Sequence, residues 1–173
     1  MRQPRQAGAS PPFNRWGRWP ITNGGRSGAA PVLSSAAMQI LIVDDHLLFA
    51  ESLRLLLLGT LDADGSVRCA NSGAAALEAA RQLAPELVLL DWNLGSEPSQ
   101  EALIEALKTE LPEARLVVVS SEAHAEVVRR AIDAGAAGFV TKSSQPDELV
   151  QALRRVAAGQ RPVLSADKPA PDG

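Results

Sequence analysis

Apolar residues fall along this chain in two alternating rhythms, short unbroken runs and helix-spaced repeats, and the alternation begins at Met38. Residues 39–43 form an apolar run that ends in Asp44 and Asp45. Phe49, Leu53, Leu56 and Leu57 then recur at the three- and four-residue spacing of one helix face, with Gly59 as the stop signal. Val67–Ala70 reads as a second strand, and Ser72 as the N-cap of a helix whose inner face is Ala76, Leu77 and Ala80, ending before Pro85. Leu87, Val88, Leu89 and Leu90 are four consecutive apolar residues bounded by Pro85 and by Asn93 to Gly95, and they deliver a single carboxylate, Asp91. Such a run reads as a strand buried on both faces, which belongs to a parallel sheet.

The same rhythm continues to the end of the pattern. Leu103, Ile104, Leu107 and Leu111 mark a third helix, closed by Pro112, and residues 116–119 a fourth strand that stops at Ser120 and Ser121. Val127, Val128, Ala131 and Ile132 give a fourth helix ending at Gly135; Gly138–Thr141 is a fifth strand ending at Lys142. Leu149, Leu153 and Val156 describe a fifth helix, with Pro146 in its first turn and Gly159 at its stop. Five strand and helix alternations imply an α/β fold, a doubly wound five-stranded parallel sheet with helices on both faces and a single domain over residues 38–159.

Open parallel sheets collect their chemistry beyond the carboxyl ends of the strands. Asp44, Asp45, Asp91, Ser120 and Lys142 are therefore expected at one rim. Three crowded acids repel unless a cation sits among them, and hard oxygen ligands in an open geometry favour Mg2+. Lys142 offers a point charge and Ser120 a hydrogen-bond donor for an oxyanion, so Asp91 can act as a nucleophile towards phosphorus. His46 reads as an exposed first-turn residue rather than a ligand, His124 as a surface residue, and Trp92 as pointing away from Asp91 by strand alternation.

Composition changes this picture only at the edges. Of 173 residues 46% are hydrophobic and 21% charged, and no apolar run approaches the ~20 residues of a membrane span, so no membrane partner is expected. Residues 1–37 carry five arginines and no acid, leaving 12 basic against 20 acidic residues from Met38 onward, a net of −8. So acidic a body argues against direct nucleic-acid binding and suits divalent cations and protein partners. Residues 1–37 lack apolar periodicity and read as a disordered Arg/Gly/Pro-rich extension, in which Arg15, Trp16, Arg18 and Trp19 offer only a weak nucleic-acid or membrane-surface signal. Met38 opens directly onto the first strand and reads as a translation start; a native amino terminus well upstream of it would overturn that expectation. The segment from 160 to 173, with Pro162, Pro169 and Pro171, reads as a flexible tail. The lone Cys69 excludes an internal disulfide and reads as a buried core thiol in a reducing compartment.

The set Asp44, Asp45, Asp91, Ser120 and Lys142 resembles the receiver domain of two-component response regulators, over about residues 38–158. IVDDHLLFAESLRLLL and AGAAGFVTK are further similar to receivers of the NarL/FixJ type, which normally precede a helix-turn-helix output domain; none fits in the 14 residues after Gly159. The resemblance implies a flavodoxin-like strand order 2-1-3-4-5 and a cytoplasmic phosphoprotein that is not an enzyme beyond its own phosphorylation and dephosphorylation. Asp91 would be the phosphoacceptor, Asp45 and Asp91 direct Mg2+ ligands, Asp44 a ligand through water, and Asn93 a ligand through its backbone carbonyl. Ser120 and Lys142 would hold the phosphoryl oxygens, Ser120 and Phe139 would switch the face of the fourth helix, fifth strand and fifth helix, and Asn93 and Glu122 would set phosphoryl lifetime. Partners so implied are a sensor histidine kinase or phosphotransfer domain and a downstream effector protein, with homodimerisation on phosphorylation left open. Alternative readings are a phosphorylation-independent adaptor, a fast-turning phosphatase that Asn93 serves poorly as second acid, and the receiver half of a truncated DNA-binding regulator. Departures from the family are the late Pro98 after Asp91, Ser143 where proline usually follows the lysine, and Ser121 in place of alanine or glycine.

Overall fold

In a computed structural model, which describes residues 38–60, 66–95, 98–160 and 163–164, strands and helices alternate throughout. The strands are β1 (Ile40–Val43), β2 (Val67–Ala70), β3 (Leu87–Asp91), β4 (Arg115–Ser120), β5 (Gly138–Thr141) and β6 (Val163–Leu164). The helices are α1 (Leu47–Thr60), α2 (Gly73–Leu83), α3 (Gln100–Glu110), α4 (Ala125–Ala134) and α5 (Pro146–Ala157). All strands pair in parallel in the order β2-β1-β3-β4-β5-β6. The five-strand order 2-1-3-4-5 is thus present. The two-residue β6 extends it beyond β5, inside the segment read from sequence as a loose tail. The expected disordered extension, residues 1–37, lies outside the described residues, as do 165–173.

Strand alternation sorts the apolar residues into two cores. Leu41, Val43, Val88, Leu90, Leu116, Val118 and Phe139 face α2, α3 and α4, where Ala76, Ala80, Leu103, Ile104, Leu107 and Ala131 cover them. Ile40, Ile42, Leu87, Leu89, Val117, Val119 and Val140 face α1 and α5, under Leu53, Leu57, Leu149, Leu153 and Val156. Because both faces are covered, the β3 run is buried at every position, which is why it is apolar without alternation. Among the described residues no helix is long and apolar enough to cross a membrane.

Most helix ends follow their sequence signals. Ser72 caps α2 by accepting from the Ala75 amide at 3.2 Å, and Gln145 with Glu148 forms a capping box ahead of Pro146. α1 ends at Thr60, one residue past the Gly59 stop signal. Gly135, by contrast, closes α4 at a φ of +118°, a conformation that a side chain disfavours. Gly135→Ala should therefore cost about 1–2 kcal/mol, read from urea unfolding. Its added methyl would find only an ordinary contact, 3.6 Å from Lys108 Cγ, so an unchanged midpoint would show that the backbone relaxes.

Cys69 also departs from expectation. It lies on β2, the edge strand, and is exposed, with Sγ 3.9 Å from the Ala50 carbonyl. Arg68, exposed beside it on β2, was the sign in the sequence that this strand borders solvent.

Candidate functional site

Three neighbouring strands end at the same level, and this brings the acids together. Val43 of β1 is in register with Leu90 of β3, so the next residue on each, Asp44 and Asp91, emerges side by side. Asp44 is anchored by its amide, which donates to the Ala70 carbonyl at 3.0 Å. Both carboxylates are buried, at 3% and 1% exposure, whereas Asp45 is open to solvent. On the other side, Asp91 pairs with Val119 of β4, and Ser120 with Thr141 of β5. Lys142 follows directly, its amide donating to the Ser120 carbonyl at 2.8 Å. Its ammonium reaches back across the end of β4 to Asp44 Oδ2 at 2.8 Å and Asp91 Oδ2 at 3.2 Å, and stands 4.6 Å above the Phe49 ring. Asp44, Asp45, Asp91, Ser120 and Lys142 therefore share one rim, as expected.

The electrostatics of this rim are unbalanced. Burial pushes the Asp91 carboxyl above the usual carboxylate range, as does the neighbouring Asp44; a hydrogen bond from the Asn93 amide to Oδ1, at 3.1 Å, and the Lys142 ammonium pull the other way. Oδ2 of Asp91 is buried, attracted to Lys142 but not aligned for a hydrogen bond, and accepts none. Three carboxylates gathered round one ammonium leave the cluster short of positive charge. A hard divalent cation fits it: three carboxylates supply oxygen ligands of the kind Mg2+ takes, with open positions left for water or a phosphoryl oxygen.

The remaining candidates fall into place around the centre. The Asn93 side chain is exposed and donates to Ser121 Oγ at 3.2 Å. Glu122 is exposed, its amide donating to Ser120 Oγ at 3.1 Å. Ser120 and Phe139 are both fully buried, Phe139 within the core under α4. Trp92 is buried away from the acids, with the Arg130 guanidinium 5.5 Å above its ring and paired with Glu101. One contact of this rim was not foreseen from the sequence. His46 is indeed exposed, but its Nδ1 lies 3.1 Å from both Asp44 Oδ1 and Asp45 Oδ1, and 3.7 Å from Asp91 Oδ2. Its position directly after the acid pair was the available signal.

The sequence matches the response regulator receiver domain over residues 40–154. The chain belongs to that family. Its receiver is 37% identical over 122 residues to the transcriptional activator protein ExaE of Pseudomonas putida, covering 70% of this chain and 56% of that protein. Among solved structures, the signal receiver domain of the putative response regulator NarL from Mycobacterium tuberculosis is 31% identical with a TM-score of 0.62, covering 71% of this chain and 98% of that one. A response regulator from Burkholderia pseudomallei, solved with a phosphorylated aspartic acid, calcium ion and citrate, is 29% identical with a TM-score of 0.59, covering 70% and 69%. The chain spans somewhat over half the length of the curated relatives it matches. Receivers are signalling domains of two-component systems, and this one has the family's fold and an acidic cluster, Asp44, Asp45 and Asp91, compatible with Mg2+.

Proposed function

We propose that this receiver is a phosphorylation-dependent switch, with Asp91 accepting a phosphoryl group from the phosphohistidine of a sensor kinase or phosphotransfer domain. One observation carries the reading: Asp91 ends β3 as a buried carboxylate set between the Asp44 carboxylate and the Lys142 ammonium, which pairs with both. A carboxylate oxygen of Asp91 attacks phosphorus as the donor's P–N bond breaks, and the electron pair returns to the imidazole nitrogen, which takes up a proton. Asp45 and Asp91 would hold Mg2+ directly, Asp44 through water, and the Asn93 carbonyl would complete the protein ligands. The bound ion supplies charge neutralisation on the transferring group. Lys142 stabilises the phosphoryl oxygens from the opposite side, and the Ser120 hydroxyl donates to one of them.

The output is a change of surface. Ser120 turning towards the phosphoryl group gives up the hydrogen bond it accepts from the Glu122 amide and alters the packing room of Phe139. That charge event biases the face of α4, β5 and α5, which an effector protein reads. Asn93 and Glu122 flank the entrance to Asp91 and would govern water access, hence phosphoryl lifetime. The acidic body favours protein partners over nucleic acid for the receiver itself, and a cytoplasmic location suits a kinase-fed switch. The Burkholderia relative, with its phosphorylated aspartic acid and calcium ion, supports both the modification and an oxygen-liganded divalent ion.

Mg2+ should change the fluorescence of the protein through Trp92, which adjoins Asp91, and Asp45→Ala should abolish that change. Asp45 is exposed, so the variant keeps its fold; an unaltered titration on Asp45→Ala would remove Asp45 from the site. The name of the ExaE relative and the half-length match favour a second reading, in which this receiver regulates a transcription factor of which it is one part. A native protein well above 18.2 kDa by intact mass would support it.

A further inference from the structure

Phe49 has the helix spacing of a core residue on α1, yet it does not fill the core. Leu53 and Leu57, on the same helix face, are buried at 4% and 0% exposure, whereas Phe49 is only partly buried. It stands in the first turn of α1, just after Asp44 and Asp45. Side chains on a helix lean towards its amino end, so this ring leans back over the strand ends. The Lys142 ammonium lies over the ring, 4.6 Å from its centroid, inside the ~6 Å at which an aromatic face attracts a cation. Trp92 and Phe139, the other Trp and Phe among the described residues, are buried in the core on the opposite face of the sheet.

Lys142 has need of such a support. Its ammonium ends a long flexible stem, which crosses the end of β4 to reach Asp44 Oδ2 at 2.8 Å and Asp91 Oδ2 at 3.2 Å. Both carboxylates change during phosphoryl acceptance: Asp91 gives up its charge when its oxygen bonds to phosphorus, and Asp44 turns to the ion. The ring is the same before and after. We propose that Phe49 is a positioning residue for phosphoryl acceptance, holding the Lys142 ammonium beside Asp91 through the face of its ring while the carboxylates around that ammonium change charge and partner. The inference rests on the proposed switch and deepens it, since Phe49 acts through Lys142 rather than on the phosphoryl group. Attraction of this kind depends on the charge distribution of the ring, whereas packing depends on its bulk.

That difference supplies the test. In the full chain, Phe49 alone is exchanged by site-specific incorporation for phenylalanines carrying progressively more ring fluorines, which drain the negative face at nearly constant shape. Phe49→Leu completes the set, and thermal melts check the fold of each protein. Two quantities are measured: the rate of phosphoryl labelling by phosphoramidate, a small P–N donor, in Mg2+, and the affinity for beryllofluoride, whose fluorides stand in for phosphoryl oxygens. Expected is a graded loss of labelling rate, about three- to tenfold at the most fluorinated ring, with Phe49→Leu at least as slow. Beryllofluoride affinity should fall in the same order. A flat fluorine series in which only Phe49→Leu is slowed, or rates that follow melting temperature instead of ring charge, would overturn the inference and leave Phe49 a packing residue. Should the unsubstituted protein neither take label nor bind beryllofluoride, the switch itself falls; label on that protein with a flat series sinks the role of Phe49 alone.

Discussion

Asp91→Asn is expected to eliminate phosphoryl labelling of this protein by a phosphohistidine donor in Mg2+, since an amide oxygen is too weak a nucleophile for phosphorus. Label surviving on the variant would refute Asp91 as acceptor. The same substitution should reveal the strain of the metal-free rim. Asp91 has a folded-state pKa raised by burial and by Asp44. A raised carboxyl contributes stability that is complete below its unfolded value, near 4, and lost as pH climbs through the folded value. In chelator, the parent protein should therefore lose stability across that window while Asp91→Asn does not. At neutral pH the variant should melt higher. Parallel stability curves for the two proteins would show that the carboxylate sits comfortably without an ion.

Lys142→Ala should have the opposite sign. Lys142 is the ammonium between Asp44 Oδ2 and Asp91 Oδ2, and its side chain is only 15% exposed. Removing it leaves two buried carboxylates facing each other, at a cost of about 3 kcal/mol or more. Urea unfolding in chelator measures this loss. Because a divalent ion supplies the missing positive charge, Mg2+ should recover more stability in Lys142→Ala than in the parent. An equal Mg2+ increment in the two proteins would mean that lysine and ion do not share the same charge.

Much of this arrangement was legible in the sequence, for reasons tied to particular residues. The unbroken Leu87–Leu90 run could only be a strand covered on both faces, and once five such units alternate with helices, their terminal acids and Lys142 must meet at one rim. Periodicity carried no strand order; that came from the family resemblance. Exposure at the edge was misjudged, because Val67–Ala70 was read as an apolar run although it carries Arg68 where β1 is wholly apolar, and Cys69 was misplaced for that reason. Gly59 marked the end of α1 to within one residue, the last turn closing at Thr60, whose Oγ1 donates to the Leu56 carbonyl at 2.6 Å. The approach of His46 to Asp91, 3.7 Å, was hidden because 45 positions separate them along the chain.

The short β6 bears on how a signal could leave the domain. Its backbone pairs with Phe139 and Val140 of β5, which turns β5 from a border into an interior strand held on both flanks. A strand clamped in this way resists sliding, so the switch proposed for Phe139 would have to be a turn of the ring rather than travel of the main chain. Val163 is at the same time in register with the residue that carries that ring, so β6 is moored directly beside it.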